Sequence, residues 1–423
     1  MNFDVVVIGA GLSGLSAASA ALGRGKSVAI VAKGSGNLSS ASGHIQLLGH
    51  YPPEAQGHAG NPEEAIKTLI RKNPLHPYAL LGIERIRDAV ARFLKNSESF
   101  GLPYGGSLLE NRLIPTSAGT LIPAALTPPS SWRDFSEASE IVVAGFKELI
   151  DFYPAFVAES LASRCKAPLK HLWVEMGTGA GRGLNSYDMA LYMEKPEALK
   201  SLASQLKPHV KEGTFIFIPA VLGVTGHLAL SESLESGLGC PVIELVTLPP
   251  SVPGHRLAEA FRRHLLRRGV EFLWGHDAVL EACNGKRCIS LELGRGTGKG
   301  FSLKGRAFVL ATGGVLGEGL MVLPGKIEET VLGIPVHYQK PFAEGDFLGS
   351  RELPLAMAGI KVNKALQPLS PETGEVLFEN VHVAGRTLAG YDPYLEKSDS
   401  GVALATGYAA GLNAAGEDSS DDH

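Results

Sequence analysis

Short unbroken apolar runs alternate along this chain with stretches whose apolar residues recur every three or four positions. Residues 4–8 and 27–32 are β-branched and apolar and read as buried strands. Between them, 12–25 is small and apolar, as suits a helix packed tightly on a sheet. Strand, helix and strand make one βαβ unit, which implies a parallel sheet. Residues 34–62 are rich in Gly, Ser and Pro and read as an extended loop. Helical periodicity covers 62–72 and 81–95, whereas 101–140 is rich in Pro and Gly and shows little period. Strands are expected at 141–144, 171–176, 215–220 and 242–248, with helices at 149–164 and 185–206. Further on, 256–268 reads as a basic amphipathic helix with a solvated charged face, and 269–274 as a strand. Asn284-Gly285 joins 278–283 to 287–293 as a hairpin. Apolar strands at 307–311 and 381–384 each run into glycine, and 401–413 forms a final helix.

The pattern predicts an α/β protein: a Rossmann-type FAD/NAD(P)-binding domain with an inserted α/β cap domain. The nucleotide domain is expected from residues 1–50, 250–320 and 355–415. Residues 51–249 form the insert, which 321–354 could join, and the acidic tail 416–423 is expected to be disordered. No internal repeat is visible.

Composition narrows the function. Net charge is −4 with no Lys/Arg-rich run, so nucleic acid is not an expected partner. Cys165, Cys240, Cys283 and Cys288 form no CxxC pair, which suits reduced thiols and argues against an iron–sulfur cluster on this chain. The apolar stretch 5–22 is long enough to suggest a signal or anchor, but no positive region precedes it and glycines interrupt it. The expected location is the cytoplasm, with any membrane attachment made through partners. His44, His50, His58 and His76 are close in sequence but lack ligand spacing, so no metal site is expected. No G-x-S-x-G elbow, P-loop or H-E-x-x-H is present.

Four motifs carry candidate chemistry. Gly9-x-Gly11-x-x-Gly14 follows a strand and opens a helix, the arrangement that sets a pyrophosphate on a helix N-terminus. The second strand should then end on an acid for the ribose, yet it ends on Ala32 and Lys33. Ala311-Thr312-Gly313-Gly314 and Val383-Ala384-Gly385-Arg386 are strand-to-glycine junctions where a flat ring or phosphate could approach. They point to a two-domain flavoprotein rather than a nicotinamide dehydrogenase. The stretch from Leu248 to Arg256 offers His255 as a proton acceptor and Arg256 as a phosphate clamp, or reads simply as a stiff linker and helix start. Gly177-Thr178-Gly179-Ala180-Gly181-Arg182-Gly183 is a second nucleotide loop or, more simply, a flexible exposed loop.

Beyond these motifs, the chain resembles the B subunit of anaerobic glycerol-3-phosphate dehydrogenase. The matching stretches are the N-terminal βαβ unit, Ser42-Gly43 with Leu47-Leu48, His76-Pro77-Tyr78 with Leu80-Leu81-Gly82, and Leu149-Ile150-Asp151-Phe152. Thr247-Leu248-Pro249-Pro250-Ser251-Val252, Arg256-Leu257 and Tyr391-Asp392-Pro393 complete the series in order. The resemblance implies an FMN flavoprotein with two partners: an FAD-bearing A subunit, and a membrane-associated iron–sulfur C subunit. Together they would oxidise sn-glycerol 3-phosphate to dihydroxyacetone phosphate and pass electrons to quinone, at the inner face of the cell membrane. FMN has no adenosine ribose, so Ala32 ranks FMN first, FAD second and an empty site third. Flavin and phosphate are expected against Gly9, Gly11, Gly14, Ser42, Gly43, Thr312, Gly313, Gly385, Arg386, Gly401 and Val402, with Arg256 as partner of the substrate phosphate.

The chain departs from the family in Glu396-Lys397-Ser398-Asp399-Ser400, where a Gly- and Cys-bearing run is usual, in His44, where a small residue is expected, and in its 177–183 loop. Two other readings stay open. One is an independent FAD enzyme of the succinate dehydrogenase or fumarate reductase type, and the other a non-catalytic scaffold within the complex.

Overall fold

The computed structural model describes residues 1–52, 57–294, 300–339 and 354–416, which fall into two compact units. The expected tail lies, apart from Gly416, outside the described residues, as do 340–353.

The first unit comprises Met1–Asn37, Gln46–Asn96 and the described residues from Phe261 onward. Its sheet is built on five parallel strands. In spatial order they are Glu271–Trp274, Val28–Ala32, Asn2–Ile8, Phe301–Leu310 and Val381–Val383. Numbered along the chain this is 3-2-1-4-5, the doubly wound order, whose direction of winding reverses between Asn2–Ile8 and Phe301–Leu310. The central strands are covered on both faces: Val5–Ile8 and Val28–Ala32 are buried throughout. That explains runs of Val, Ile and Ala in place of apolar–polar alternation.

Phe301–Leu310 is long enough to serve two partners on one edge. Its first half pairs antiparallel with Arg287–Gly294, which pairs in turn with Asp277–Asn284; its second half pairs with Val381–Val383. Where those partners part, the Asn380 side chain donates to the carbonyls of Cys288 and Arg306 and accepts the Cys288 N–H. Buried backbone groups that a ladder would otherwise leave unpaired are thereby satisfied.

Two helices of small residues, Leu12–Leu22 and Asp399–Ala415, lie backbone against backbone. A Cβ on Gly407 would fall 2.3 Å from the Ser13 carbonyl oxygen, and one on Gly411 would fall 2.2 Å from that of Ala17. Ser16 Oγ donates to the Leu404 carbonyl across the same contact. Pro62–Lys72 and the helical stretch Pro77–Ser99, interrupted at Gly82, also belong to this unit. Asn96 reaches Ser19 Oγ and Arg85 reaches Asn413, so these helices pack on the nucleotide sheet's own helices. The expected insert therefore begins too early at residue 51: the chain enters the second unit for Leu38–Ile45 and again at Ser97.

The second unit, Leu38–Ile45 with Ser97–Ala260, holds four parallel strands in the order Val242–Leu245, Thr214–Pro219, Glu140–Phe146, Leu169–Val174. Its core is larger-grained, with Phe146, Phe152, Phe217, Met189 and Met193 almost fully buried. Two prolines reshape the expected helices. The 149–164 helix is confined to Pro154–Ala162, and the 185–206 helix splits into Ser186–Met193 and Pro196–Leu206. In each case the residue before proline is extended, because the ring disfavours helical geometry there. The stretch without periodicity folds into two small antiparallel pairs, Arg112–Pro115 with Leu121–Ala124 and Gly105–Gly106 with Leu126–Thr127. Val252–Arg267 is one helix that runs past the boundary at Ala260.

Candidate functional site

The reversal of winding in the first unit brings the ends of Asn2–Ile8 and Phe301–Leu310 side by side. Gly9 follows the first strand with φ +113°, and a Cβ there would sit 2.1 Å from the Ala311 carbonyl oxygen. Only glycine tolerates that backbone and that contact. Gly14 meets the Gly9 carbonyl oxygen just as closely, at 1.9 Å, which locks the turn to the helix. Gly11 is different: nothing lies within 4 Å of its Cβ position, and it stands as N-cap of Leu12–Leu22 with no side chain capping that helix. The loop therefore presents open space and helix N–H groups together, which is what a phosphate requires.

The other two junctions are tied to this one. Gly385 has φ +71°, and its Cβ would collide with Ser13 Oγ at 2.5 Å. Its N–H donates to Thr406 Oγ1. Thr387 Oγ1 donates to the Gly313 carbonyl, joining the 385–387 turn to the 312–314 turn. Arg386 lies over Gly314, where a Cβ would come within 2.9 Å of its Cγ. Its Nη2 donates to the Ala356 carbonyl, and its guanidinium faces the Tyr391 ring at 5.6 Å. Arg386 Nη1 and the Tyr391 hydroxyl are buried without a hydrogen-bond partner. Such atoms are costly unless something else meets them.

The start of Asp399–Ala415 completes the recess. Its N-cap residue, Ser398, makes no cap hydrogen bond, because the hydroxyl donates instead to Glu396, which also binds His76. Asp399 stands exposed at the opening of the helix, in the field of the Arg386 guanidinium. A cation, an orphaned phenol and an uncapped helix N-terminus thus converge, and they favour an electron-rich ring carbonyl. These features fit a flavin, with the glycine loop for its phosphates. Sequence reasoning gave Ser13 and Thr387 no role, and named Tyr391 and Asp399 only within the Tyr391-Asp392-Pro393 match and the 396–400 departure.

Two expected contacts have another explanation. The Gly401 Cβ position is filled by the Tyr78 hydroxyl at 2.4 Å and Leu47 Cα at 2.6 Å, and Val402 is fully buried. Gly401 is committed to packing against the 46–47 segment, where its N–H also donates to the Gln46 carbonyl. Ser42 and Gly43 belong to the second unit. There, Gly43, with φ +77°, touches Pro253 and accepts a hydrogen bond from Tyr104. His44 binds the Ser42 carbonyl through Nδ1; burial lowers its pKa to about 4, and its Nε2 has no partner.

Arg256 does not serve as the expected phosphate clamp. It is 4% exposed; Nε and Nη2 donate to the Gly223 carbonyl, while Nη1 and Nη2 hold both oxygens of buried Glu244. Burial alone would raise the Glu244 carboxyl, but Arg256 and the Leu222 N–H outweigh it and hold it low. The pair and its donors are therefore spent on bracing the Leu222–Gly223 turn. His255 packs edge-on to Tyr187 at 4.8 Å. The 177–183 loop is largely exposed, as the simpler expectation had it.

The reading of Ala32 also changes. Lys33 just beyond it is held by Asp277 at 2.9 Å and Glu318 at 3.2 Å, so remote segments bring carboxylates to the end of the second strand. The absence of an acid in the local sequence is no guide to whether acids stand there, and the preference for FMN over FAD loses its footing.

Comparison with known proteins agrees. A curated relative from Vibrio cholerae serotype O1, named as the B subunit of anaerobic glycerol-3-phosphate dehydrogenase, is 28% identical over 430 residues, covering 97% of this chain and 96% of its own length. One from Halobacterium salinarum, named as the probable B subunit of the same enzyme, is 30% identical over 429 residues and 97% of both chains. Among solved structures, the 3-ketosteroid delta1-dehydrogenase from Sterolibacterium denitrificans aligns with 98% of this chain and 99% of its own. Its TM-score is 0.45 at 11% identity, too low to carry an argument. Residues 4–402 match the family described as FAD binding domain, which overturns the ranking of FMN first. The chain belongs to that family and is a flavin-dependent oxidoreductase.

Proposed function

We propose that this chain is the flavoprotein B subunit of a quinone-linked anaerobic glycerol-3-phosphate dehydrogenase, with FAD as its cofactor. The observation that carries the proposal is the alignment of 97% of the chain with relatives bearing that name. Gly9, Gly11 and Gly14 would hold the pyrophosphate on the helix N-terminus, and Thr312, Gly313, Gly385 and Arg386 would frame the ring. Gly401 and Val402 would shape the segment beside them. When bound, the flavin supplies the two-electron acceptor for oxidation of an alcohol to a ketone. The protein's part is to orient the ring, to keep Arg386 and Tyr391 beside its carbonyl edge, and to exclude water there.

Among the described residues no helix is long and apolar enough to cross a membrane. Electrons would leave through the two partners, one bearing FAD and the other an iron–sulfur cluster, which would also bring the chain to the membrane. The test is to purify the protein, release its flavin with acid and identify it, then reduce the holoprotein anaerobically with sn-glycerol 3-phosphate, with and without the partners. FAD near one per chain and bleaching by that substrate are expected. Bleaching by succinate alone would favour the independent enzyme, and a flavin-free chain that still binds its partners would leave only a scaffold.

A further inference from the structure

Of the chain's four cysteines, Cys165 and Cys240 belong to the second unit, and Cys283 and Cys288 to the first. All are free thiols. The hairpin of Asp277–Asn284 and Arg287–Gly294 brings the second pair together. Its register sets Cys283 directly opposite Cys288, next to the Asn284–Arg287 pair that closes the Gly285-Lys286 turn. Residues opposed in this way share one face of the sheet.

Opposed residues in an antiparallel ladder are of two kinds, and the backbone of Cys288 tells which this is. Its N–H donates to Asn380 Oδ1 at 2.9 Å, and its carbonyl accepts from Asn380 Nδ2 at 2.8 Å. Both groups therefore turn away from Cys283. The two cysteines form a pair without mutual backbone hydrogen bonds, the kind whose Cα atoms stand closer, at about 4.5 Å. Disulfides span Cα separations of about 4.4–6.8 Å. The Cβ atoms of such opposed residues are about 4.5–5.5 Å apart, whereas a disulfide wants about 3.5–4.5 Å. Closing the bond thus draws the strands together at a cost, and a strained disulfide is readily reduced.

Access to the two thiols differs. Cys283 is exposed and Cys288 is fully buried. Burial pushes the Cys288 thiol up to about 12, and nearby Cys283 adds to the effect. The thiolate is the attacking species, so a small oxidant meets Cys283 first and Cys288 answers from within.

We infer that Cys283 and Cys288 form a reversible thiol–disulfide couple whose oxidant is a small disulfide. The Cys283 thiolate attacks one sulfur of the oxidant, giving a mixed disulfide and one released thiolate. Cys288 then attacks Cys283 Sγ, its proton going to the released thiolate, and expels the second half of the oxidant. The protein loses two hydrogens, and the small disulfide is reduced to two thiols. The bond clamps a hairpin tip that Asn380 ties to the Arg306 carbonyl, just ahead of Val381–Val383. None of this depends on the glycerol 3-phosphate reading.

The full-length holoprotein is treated with oxidised glutathione, quenched with an alkylating agent and mapped by mass spectrometry after trypsin. Lys286 and Arg287 lie between the two cysteines, so only the disulfide can hold the resulting peptides together. The expected product carries that link, weighs two hydrogens less than the reduced protein, keeps Cys165 and Cys240 alkylated, and returns to thiols with a small dithiol. Cys288→Ala should instead hold glutathione on Cys283, and Cys283→Ala should slow oxidation of Cys288 about tenfold or more. Mapping of the wild type needs no substitution, so a variant that folds poorly leaves the test intact. Three outcomes in the wild type overturn the couple: glutathione that stays on Cys283 without closure, a dimer joined through Cys283, or a thiol pair that glutathione leaves untouched.

Discussion

The two units each carry a parallel sheet, and the loops that follow their strands at the glycine turn of the first and after Thr214–Pro219 in the second are held by different means. In the first, loops are held by backbone against backbone. Gly9 sits on Ala311, Gly14 on Gly9, and Gly407 and Gly411 on the first helix. In the second, the loop after Thr214–Pro219 is held by charged side chains. Glu244 and Arg256 brace Leu222–Gly223, and Glu194 accepts the N–H groups of Val224 and Thr225. A backbone-built site leaves its mark as glycines at fixed spacing. A side-chain-built one leaves ordinary residues whose partners are far away in sequence.

That contrast can be broken most sharply at the buried pair. Arg256→Ala strands the Glu244 carboxylate without a counter-charge and should cost about 3–5 kcal/mol. Thermal unfolding, followed through Trp132 and Trp173 in the second unit, should fall by about 10 °C. An unchanged midpoint would show that the pair does not hold that unit. Next in size is Gly9→Ala, which meets both the positive φ and the Ala311 carbonyl, at about 1–3 kcal/mol or more of strain. Flavin per chain should drop severalfold while the second unit's fluorescence transition stays put; a flavin content equal to wild type would remove the glycine loop from the cofactor site.

Acid should bear on the second unit through two buried histidines. His44 and His227, both in the second unit, have folded pKa values of about 4 against 6.5 for a free imidazole, chiefly through burial. The unfolded chain therefore binds more protons below pH 6.5. Their stabilisation is complete above that pH and drains as pH falls toward 4, by at most on the order of 3 kcal/mol each. Denaturant midpoints of wild type and His227→Gln, measured from pH 7 to 4.5, should converge as pH drops; parallel curves would refute the assignment. Smaller still is Arg386→Gln, expected to weaken flavin retention about three- to tenfold in dialysis, by loss of one charge-assisted contact. Smallest is Lys33→Ala. Its ion pairs with Asp277 and Glu318 are exposed, so stability should move by no more than about 0.5 kcal/mol.

What the sequence revealed follows the same division. The βαβ unit and both late strand-to-glycine junctions were legible, because burial on two faces imposes apolar runs and tight turns impose glycine. Pro154 and Pro196 cut helices that periodicity alone extends through them. Helices at 62–99 read as insert because nothing local marks which sheet they cover; Asn96 on Ser19 decides it. Arg256 looked free because its carboxylate, Glu244, is on a strand before it and its carbonyl partner belongs to a separate loop. Ala32 misled for a related reason, since Asp277 and Glu318 reach that place from elsewhere in the chain.

The strand order of the larger sheet bears on how the protein is made. Val5 pairs with Ala307 and Ile8 with Leu310, and the last parallel strand and its helix arrive only after residue 380. Asn2–Ile8 and Val28–Ala32 are synthesised before the second unit, yet the next neighbour of Asn2–Ile8, Phe301–Leu310, follows after it. The four-stranded sheet of residues 140–245, by contrast, has all its strands in one continuous stretch. Because chains fold as segments become available, the interior module gains its partners during synthesis, while the ends of the polypeptide wait for each other. Truncation between Ala260 and Phe301 would leave every strand of the interior module and remove the central neighbour of the first strand.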